Sequence, residues 1–111
     1  MALPVFDNGL EDDEMEEMMG NAQRATDFLK ALAHEGRLMI LCHLASGEKS
    51  VTDLEELLSA RQAAVSQQLA RLRLEGLVHY RRDGKTIYYS IADERVREMI
   101  DIVYRLFCEQ R

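Results

Sequence analysis

The stretch that decides the fold runs from residue 62 to residue 91 and reads QAAVSQQLARLRLEGLVHYRRDGKTIYYSI. Its first half repeats apolar residues at helical spacing, namely Val65, Leu69 and Leu72. This predicted helix ends near Gly76. The second half contains two β-rich runs, 77–82 and 85–91, on either side of Asp83-Gly84, which is a strong hairpin signal. The stretch therefore predicts a helix followed directly by a β-hairpin.

Helical patterns also occupy the sequence on both sides of this stretch. Three helices are predicted before it, over about residues 12–33, 35–45 and 52–58. Two capping boxes are predicted, Thr52 with Glu55 for the third helix and Ser59 with Gln62 for the fourth. Asp93 is suited to cap a last helix. The apolar stripe of that helix consists of Val96, Met99, Ile100, Val103, Leu106 and Phe107. The predicted fold is mainly α with a small β-hairpin, in the order of four helices, two strands and one helix.

Length and composition are those of a single domain. The chain has 111 residues, with 47% hydrophobic and 31% charged residues. No apolar run approaches the roughly 20 residues needed to span a bilayer. The N-terminus lacks the basic flank and apolar stretch of a signal peptide. We expect a cytoplasmic protein with an acidic N-terminal arm, residues 1–14, and one folded domain, residues 15–111.

The net charge of −6 hides a strong segregation of charge. Residues 1–20 contain seven acidic residues and no Lys or Arg, whereas residues 61–85 contain six basic residues and two acidic ones. A basic stretch in an acidic protein favours a local anion-binding face, although charge alone fits a solvated surface equally well.

A short helix, a turn, a longer helix and a basic hairpin together make the layout of a winged helix-turn-helix, in which the hairpin is the wing. The outward positions of the longer helix are Gln62, Ser66, Gln67, Gln68 and Arg71, and the basic residues flanking the hairpin tip are Arg81, Arg82 and Lys85. Glutamine can pair bidentately with adenine, and the basic residues are suited to phosphates. These eight residues predict binding to double-stranded DNA. A polar solvated face, or a module that binds an acidic protein partner, is the alternative.

Several segments resemble the ArsR/SmtB repressors. They are residues 31–41, 64–73, 76–78, 81–85 and 88–89. One departure is Gln68, where many members carry His. The resemblance implies a homodimer joined through the first and last helices, which binds an inverted repeat in operator DNA and is released by an inducer. Dimerisation also agrees with the apolar content of those two helices, which exceeds what so small a domain readily buries.

Metal sites known in this family find no match in the sequence. The third-helix region, residues 50–58, contains no thiol or imidazole, and residues 93–111 contain no His. The three histidines are His34, His43 and His79. They are scattered and suit a helix start, a polar helix position and a strand position. We therefore predict that the protein uses no metal and no other cofactor.

Cys42 and Cys108 are the only cysteines. On spacing alone each is best interpreted as a small buried hydrophobic residue. The segments around them, 36–44 and 103–108, resemble those of the persulfide-sensing BigR/SqrR subgroup. That resemblance implies two sensing thiols, which sulfane sulfur links by a disulfide or polysulfide bridge, so that DNA is released and sulfide-detoxification genes are derepressed. A neighbouring basic residue would help by lowering a thiol pKa, and the candidates are Arg37, His43 and Arg105.

Other interpretations remain open at this point. The same thiols suit a repressor that responds to general oxidants or to another thiophilic inducer. An enzyme, such as a thiol oxidoreductase or sulfur carrier, is disfavoured because the chain has no Cys-X-X-Cys motif. The acidic arm is expected to solvate the N-terminus; alternatively, it competes with DNA for the basic face.

Overall fold

The elements of the fold follow the order predicted from the sequence. The computed structural model describes residues 11–59 and 62–109, so residues 1–10 of the predicted acidic arm lie outside it. The helices are α1 (Asp12–Leu32), α2 (Glu35–Leu44), α3 (Val51–Leu58), α4 (Gln62–Leu74) and α5 (Glu94–Val103). The strands are β1 (Lys49–Ser50), β2 (Val78–Asp83) and β3 (Thr86–Ile91), and a π-helical turn, Tyr104–Cys108, follows α5. The predicted fold class is confirmed.

The chain forms two compact units, one up to Lys30 and one from Ala31 onward. The described part of the first unit is helical from Asp12 onward and belongs to α1. The first turn of α1 carries Asp12, Asp13 and Glu14, whose negative charges are stabilising at the positive end of the helix dipole. Among the described helices, none is long and apolar enough to cross a bilayer.

The core of the second unit is built from one face of each helix. The most deeply buried large side chains are Ile40, Leu41, Leu44, Leu54, Val65, Leu69, Leu72 and Val96. The prediction that α4 turns Val65, Leu69 and Leu72 inward is thereby confirmed. This packing fixes which side of α4 remains exposed, because the three residues share one helical face.

The sheet contains three strands, whereas the sequence predicts two. The order is β1-β3-β2, all antiparallel, with Ser50 paired to Tyr88. β1 has only two residues, too few to give an alternating pattern. The hairpin itself is confirmed, but Asp83 pairs with Thr86, so the two loop residues are Gly84 and Lys85. Gly84 has a φ of +64°, a conformation that glycine adopts without a Cβ penalty.

The capping boxes predicted at Thr52 and Ser59 are wrong. Ser50 caps α3: its hydroxyl accepts from the Asp53 N–H at 3.0 Å, and the Asp53 carboxylate accepts from the Ser50 N–H at 3.1 Å. The cap lies two residues before the predicted one, because β1 ends at Ser50 and α3 begins directly after it. Ser59 is instead the C-cap of α3, in a left-handed conformation with a φ of +50°.

Ser50→Ala should therefore lower the free energy of unfolding by about 1 kcal/mol, the usual cost of losing such a cap. Thr52→Ala is the matched control, because Thr52 is exposed and lies inside the first turn rather than at the cap. Urea unfolding of both variants measures the difference. Equal losses would contradict the assignment of the cap to Ser50.

The predicted cap of the last helix is confirmed, since Asp93 accepts from the Arg95 N–H at 2.9 Å. The predicted apolar stripe is buried near its start and exposed at its end. Val96 and Ile100 are buried, whereas Leu106 and Phe107 are 71% and 76% exposed. The end of the stripe therefore lies outside the core of this unit.

Candidate functional site

The outer face of α4 presents part of the predicted DNA-binding set. Ser66 and Gln67 are exposed, whereas Leu69 is buried. Arg71 is also exposed, and its Nε lies 3.3 Å from the Glu75 carboxylate, one turn further along. The side chain of Gln62 lies outside the described part of the structure.

Gln68 differs from its neighbours because its side chain is turned toward the start of α2. It is half-buried, and its Oε1 accepts a hydrogen bond from Arg37 Nη1 at 3.4 Å. Arg37 Nε also donates to the carbonyl oxygen of Ala31 at 2.7 Å. Arg37 thus joins the segment before α2 to the middle of α4.

The wing, which consists of β2, β3 and their loop, places its basic residues in two different environments. Arg82 and Lys85 are exposed and make no ion pair within the described residues, and Lys85 lies in the loop itself. Arg81 is paired with Glu48 through two hydrogen bonds of 2.7 and 2.8 Å. These three basic residues form one group in the sequence, and the structure separates Arg81 from the other two.

An aromatic contact connects the wing to α4. The guanidinium of Arg73 lies 4.2 Å from the ring centroid of Tyr80 on β2, within the range of a cation–π interaction. The Tyr80 ring in turn packs against Tyr89 of β3, with centroids 5.8 Å apart. Arg73 therefore stabilises the position of the wing relative to α4.

The two cysteines line one cavity of about 280 Å³. It lies between the end of α2 and the α5 region, and its other lining residues are Ala45, Ser46, Ile100, Asp101, Val103 and Tyr104. Both thiols are exposed, so their interpretation as buried hydrophobic residues is wrong. Sequence reasoning did not single out Tyr104, although its position four residues before Cys108 indicates it. Arg97 holds the cavity wall by donating to the Ala45 carbonyl oxygen at 3.0 Å.

Cys108 lies in the π-helical turn, whose hydrogen bond runs from the Glu109 N–H to the Tyr104 carbonyl oxygen at 2.9 Å. Such a turn is wider than an α-helical one and commonly occurs at functional sites. It changes the direction of side chains relative to a continuous α-helix. The side chain of Cys108 is therefore set by this turn and not by the regular spacing of α5.

Neighbouring basic residues were expected to lower a thiol pKa, but the pKa of Cys42 is raised. Burial raises the pKa of the Cys42 thiol above its ordinary value, and the charge of Cys108 raises it further. A raised pKa means that less Cys42 thiolate is present at neutral pH. The effect of Cys108 on Cys42 agrees with their shared position on the cavity wall.

Cys108→Ser is expected to lower the pKa of Cys42, because it removes a group that contributes to the upward shift. Ultraviolet thiolate absorbance against pH measures this, with the single-thiol variant compared with the wild-type protein. Arg105→Gln is the control. An unchanged or higher Cys42 pKa in Cys108→Ser would contradict the proximity of the two thiols.

The histidines have the structural positions predicted for them. His34 caps α2, with its Nδ1 accepting from the Gly36 N–H at 3.1 Å, while His43 lies in the last turn of α2 and His79 on β2. Within residues 11–59 and 62–109, no three His, Cys, Asp or Glu side chains are grouped to hold a metal ion.

Known proteins match both the sequence and the fold. The family model described as "Bacterial regulatory protein, arsR family" matches residues 34–80. The transcriptional activator HlyU of Vibrio cholerae is 42% identical over 86% of this chain and 88% of its own length. The biofilm growth-associated repressor of Agrobacterium fabrum is 46% identical over 78% of this chain and 76% of its own length.

Among solved structures, the transcriptional repressor BigR of Xylella fastidiosa superposes with a TM-score of 0.80 at 38% identity, covering 86% of this chain and 98% of that one. The chain belongs to the arsR family of bacterial regulatory proteins.

Proposed function

We propose that the protein is a cytoplasmic, thiol-based transcriptional repressor, which binds operator DNA when reduced and is released when sulfane sulfur links Cys42 to Cys108. The observation that carries this proposal is that both thiols line one cavity between α2 and the α5 region. Sulfide-detoxification genes are the proposed targets.

DNA binding is supported by the exposed face of α4 and by the wing beside it. Ser66 and Gln67 provide groups for base edges, and Arg82 and Lys85 provide charges for phosphates. The proposed assembly is a homodimer, because an inverted repeat requires two such surfaces related by a two-fold axis. Exposed apolar side chains suited to the dimer interface occur on α1, at Met19, and after α5, at Leu106 and Phe107.

The sensing chemistry needs only the two thiols and a sulfane-sulfur donor. A cysteine thiolate attacks the outer sulfur of the donor, and the bond from that sulfur to the rest of the donor breaks. The transferred sulfur forms a cysteine persulfide, and the remainder of the donor leaves as a thiolate or a shorter polysulfide anion. The second thiolate attacks the inner sulfur of that persulfide and expels hydrosulfide, giving a disulfide. If a second donor first transfers another sulfur to the persulfide, the second thiolate attacks the middle sulfur of the resulting Cys–S–S–SH group and expels hydrosulfide, giving a trisulfide. Either thiol suits the first attack, and the raised pKa of Cys42 leaves less of its thiolate at neutral pH.

The bridge reaches the DNA-binding surface through α2. Cys42 lies on α2, which packs against α4, and the hydrogen bond between Arg37 and Gln68 joins the same two helices. A bridge to Cys108 fixes α2 against the α5 region and so biases where α4 lies. A coupling of about 1–3 kcal/mol changes DNA affinity roughly 5–150-fold.

The test begins with reduced protein, which selects a duplex from a random-sequence library. The selected duplex is then titrated with reduced protein, protein treated with inorganic polysulfide and protein treated with peroxide, with intact mass spectrometry on each sample. Selection of an inverted repeat, followed by loss of affinity with a Cys42–Cys108 bridge after polysulfide alone, supports the proposal. An equal loss with peroxide favours the second candidate, a repressor of general oxidant response. Failure to select any duplex contradicts DNA binding.

A further inference from the structure

Arg81 crosses the sheet from one edge to the other. It lies on β2, an edge strand, opposite Tyr88 of the central strand β3, and Tyr88 is paired on its other side with Ser50 of β1. The guanidinium lies 4.6 Å from the centroid of the Tyr88 ring and ends on Glu48, just before β1. One side chain therefore spans all three strands.

The far end of Arg81 is held in the geometry that a guanidinium and a carboxylate prefer. Arg81 Nε donates to Glu48 Oε2 at 2.8 Å and Nη2 donates to Oε1 at 2.7 Å, so the pair is bidentate. The hydrogen bond from Arg81 lowers the pKa of Glu48, which keeps this carboxylate charged at neutral pH. A DNA phosphate would have to displace that carboxylate to use the same donors.

The other two basic residues of the wing differ from Arg81, because their charges are not engaged by a carboxylate within the described residues. Arg82 projects from the next position of β2, and Lys85 lies in the loop beyond it. Successive residues of a strand point to opposite faces, so Arg82 lies on the face away from the Arg81–Glu48 pair. Within the described residues neither has a carboxylate partner.

We propose that Glu48 and Arg81 are positioning residues, which strap the wing to the loop after α2 so that Arg82 and Lys85 meet the phosphates while Arg81 does not. This inference rests on the proposed DNA-binding function. It replaces the expectation from the sequence that Arg81 itself binds phosphate.

The decisive variant exchanges the two charges. In Glu48→Arg with Arg81→Glu the net charge and the combined length of the pair are kept, whereas the charge at position 81 is reversed. The single variants Arg81→Gln and Glu48→Gln should each weaken binding to the duplex selected by the wild-type protein, by about fivefold for the dimer. The exchanged pair should restore affinity to within about twofold of wild type.

Salt dependence separates positioning from phosphate contact. Each neutralised phosphate contributes about −0.9 to the slope of log K against log salt, so Arg82→Gln should reduce the slope by roughly 2 in a dimer. Arg81→Gln should leave the slope at the wild-type value. Glu56→Gln is the control for Glu48→Gln, because it removes an exposed acidic residue elsewhere in the same unit.

Each outcome decides whether Arg81 positions the wing or contacts a phosphate itself. Rescue by the exchanged pair with an unchanged slope in Arg81→Gln supports the strap. A reduced slope in Arg81→Gln, tighter binding by Glu48→Gln than by Glu56→Gln, or an exchanged pair without rescue would overturn it. Wild-type protein that selects no duplex would overturn the proposed function and the strap's role together.

Discussion

Replacing Cys108 with Ser is expected to abolish the response to polysulfide while leaving the DNA affinity of the reduced protein within about twofold of wild type. Cys42→Ser is expected to do the same. The wild-type protein should lose affinity by roughly 5–150-fold on treatment. The reason is geometric. The bridge needs one thiol on each wall of the cavity, so a single thiol cannot link α2 to the α5 region.

Tyr104→Phe is the matched control, because Tyr104 lines the same cavity but forms no sulfur bond. Its response to polysulfide should persist. The measurement is fluorescence anisotropy on the selected duplex, with intact mass spectrometry to identify added sulfur. If Cys108→Ser still released DNA with a persulfide on Cys42, a single modified thiol would suffice and the bridge would not be the switch.

Leu69→Ala is expected to have the largest effect on stability, a loss of about 2–5 kcal/mol in the free energy of unfolding. Leu69 has no exposed surface and lies on the core-facing side of α4. Truncation removes buried methyl groups and leaves a cavity that the neighbouring helices fill only in part. The whole free energy of unfolding of a small domain is only about 5–15 kcal/mol, so the variant should unfold at a much lower urea concentration than the wild-type protein.

Leu74→Ala is the control on the same helix, because Leu74 is 82% exposed and lies in its last turn. Its free energy of unfolding should change by less than about 0.5 kcal/mol. Urea titrations followed by circular dichroism compare the two variants directly. Similar losses at both positions would mean that α4 does not pack as the burial of its side chains indicates.

Local patterns in the sequence were sufficient to predict the helices, the hairpin and the inward face of α4. Val65, Leu69 and Leu72 repeat with the period of a helix, and the turn after Asp83 has the chemistry of a tight hairpin. The capping box of α3 was misplaced because Ser and Thr both occur near the helix start. Only the pairing of Ser50 with Tyr88 decides where the strand stops and the helix begins.

The features that the sequence could not predict depend on contacts between residues that are far apart in the chain. Glu48 and Arg81 are 33 positions apart, and no periodic pattern indicates that they meet across β3. The exposure of Cys42 and Cys108 depends likewise on how α2 and the α5 region leave a cavity between them. The cysteines were selected through family resemblance, whereas their shared cavity and the raised pKa of Cys42 are properties of the fold.

For the proposed DNA-binding function, the position of Gln68 narrows the set of base sequences that α4 would distinguish. A bidentate glutamine specifies adenine because it accepts from N6 and donates to N7 at once. Arg37 holds the carbonyl end of Gln68 toward α2, so this residue cannot present both groups to a base edge. In the described side chains of α4, Gln67 is the glutamine left to specify adenine. For the proposed repressor, the described side chains thus predict one adenine in each operator half that is specified by Gln67.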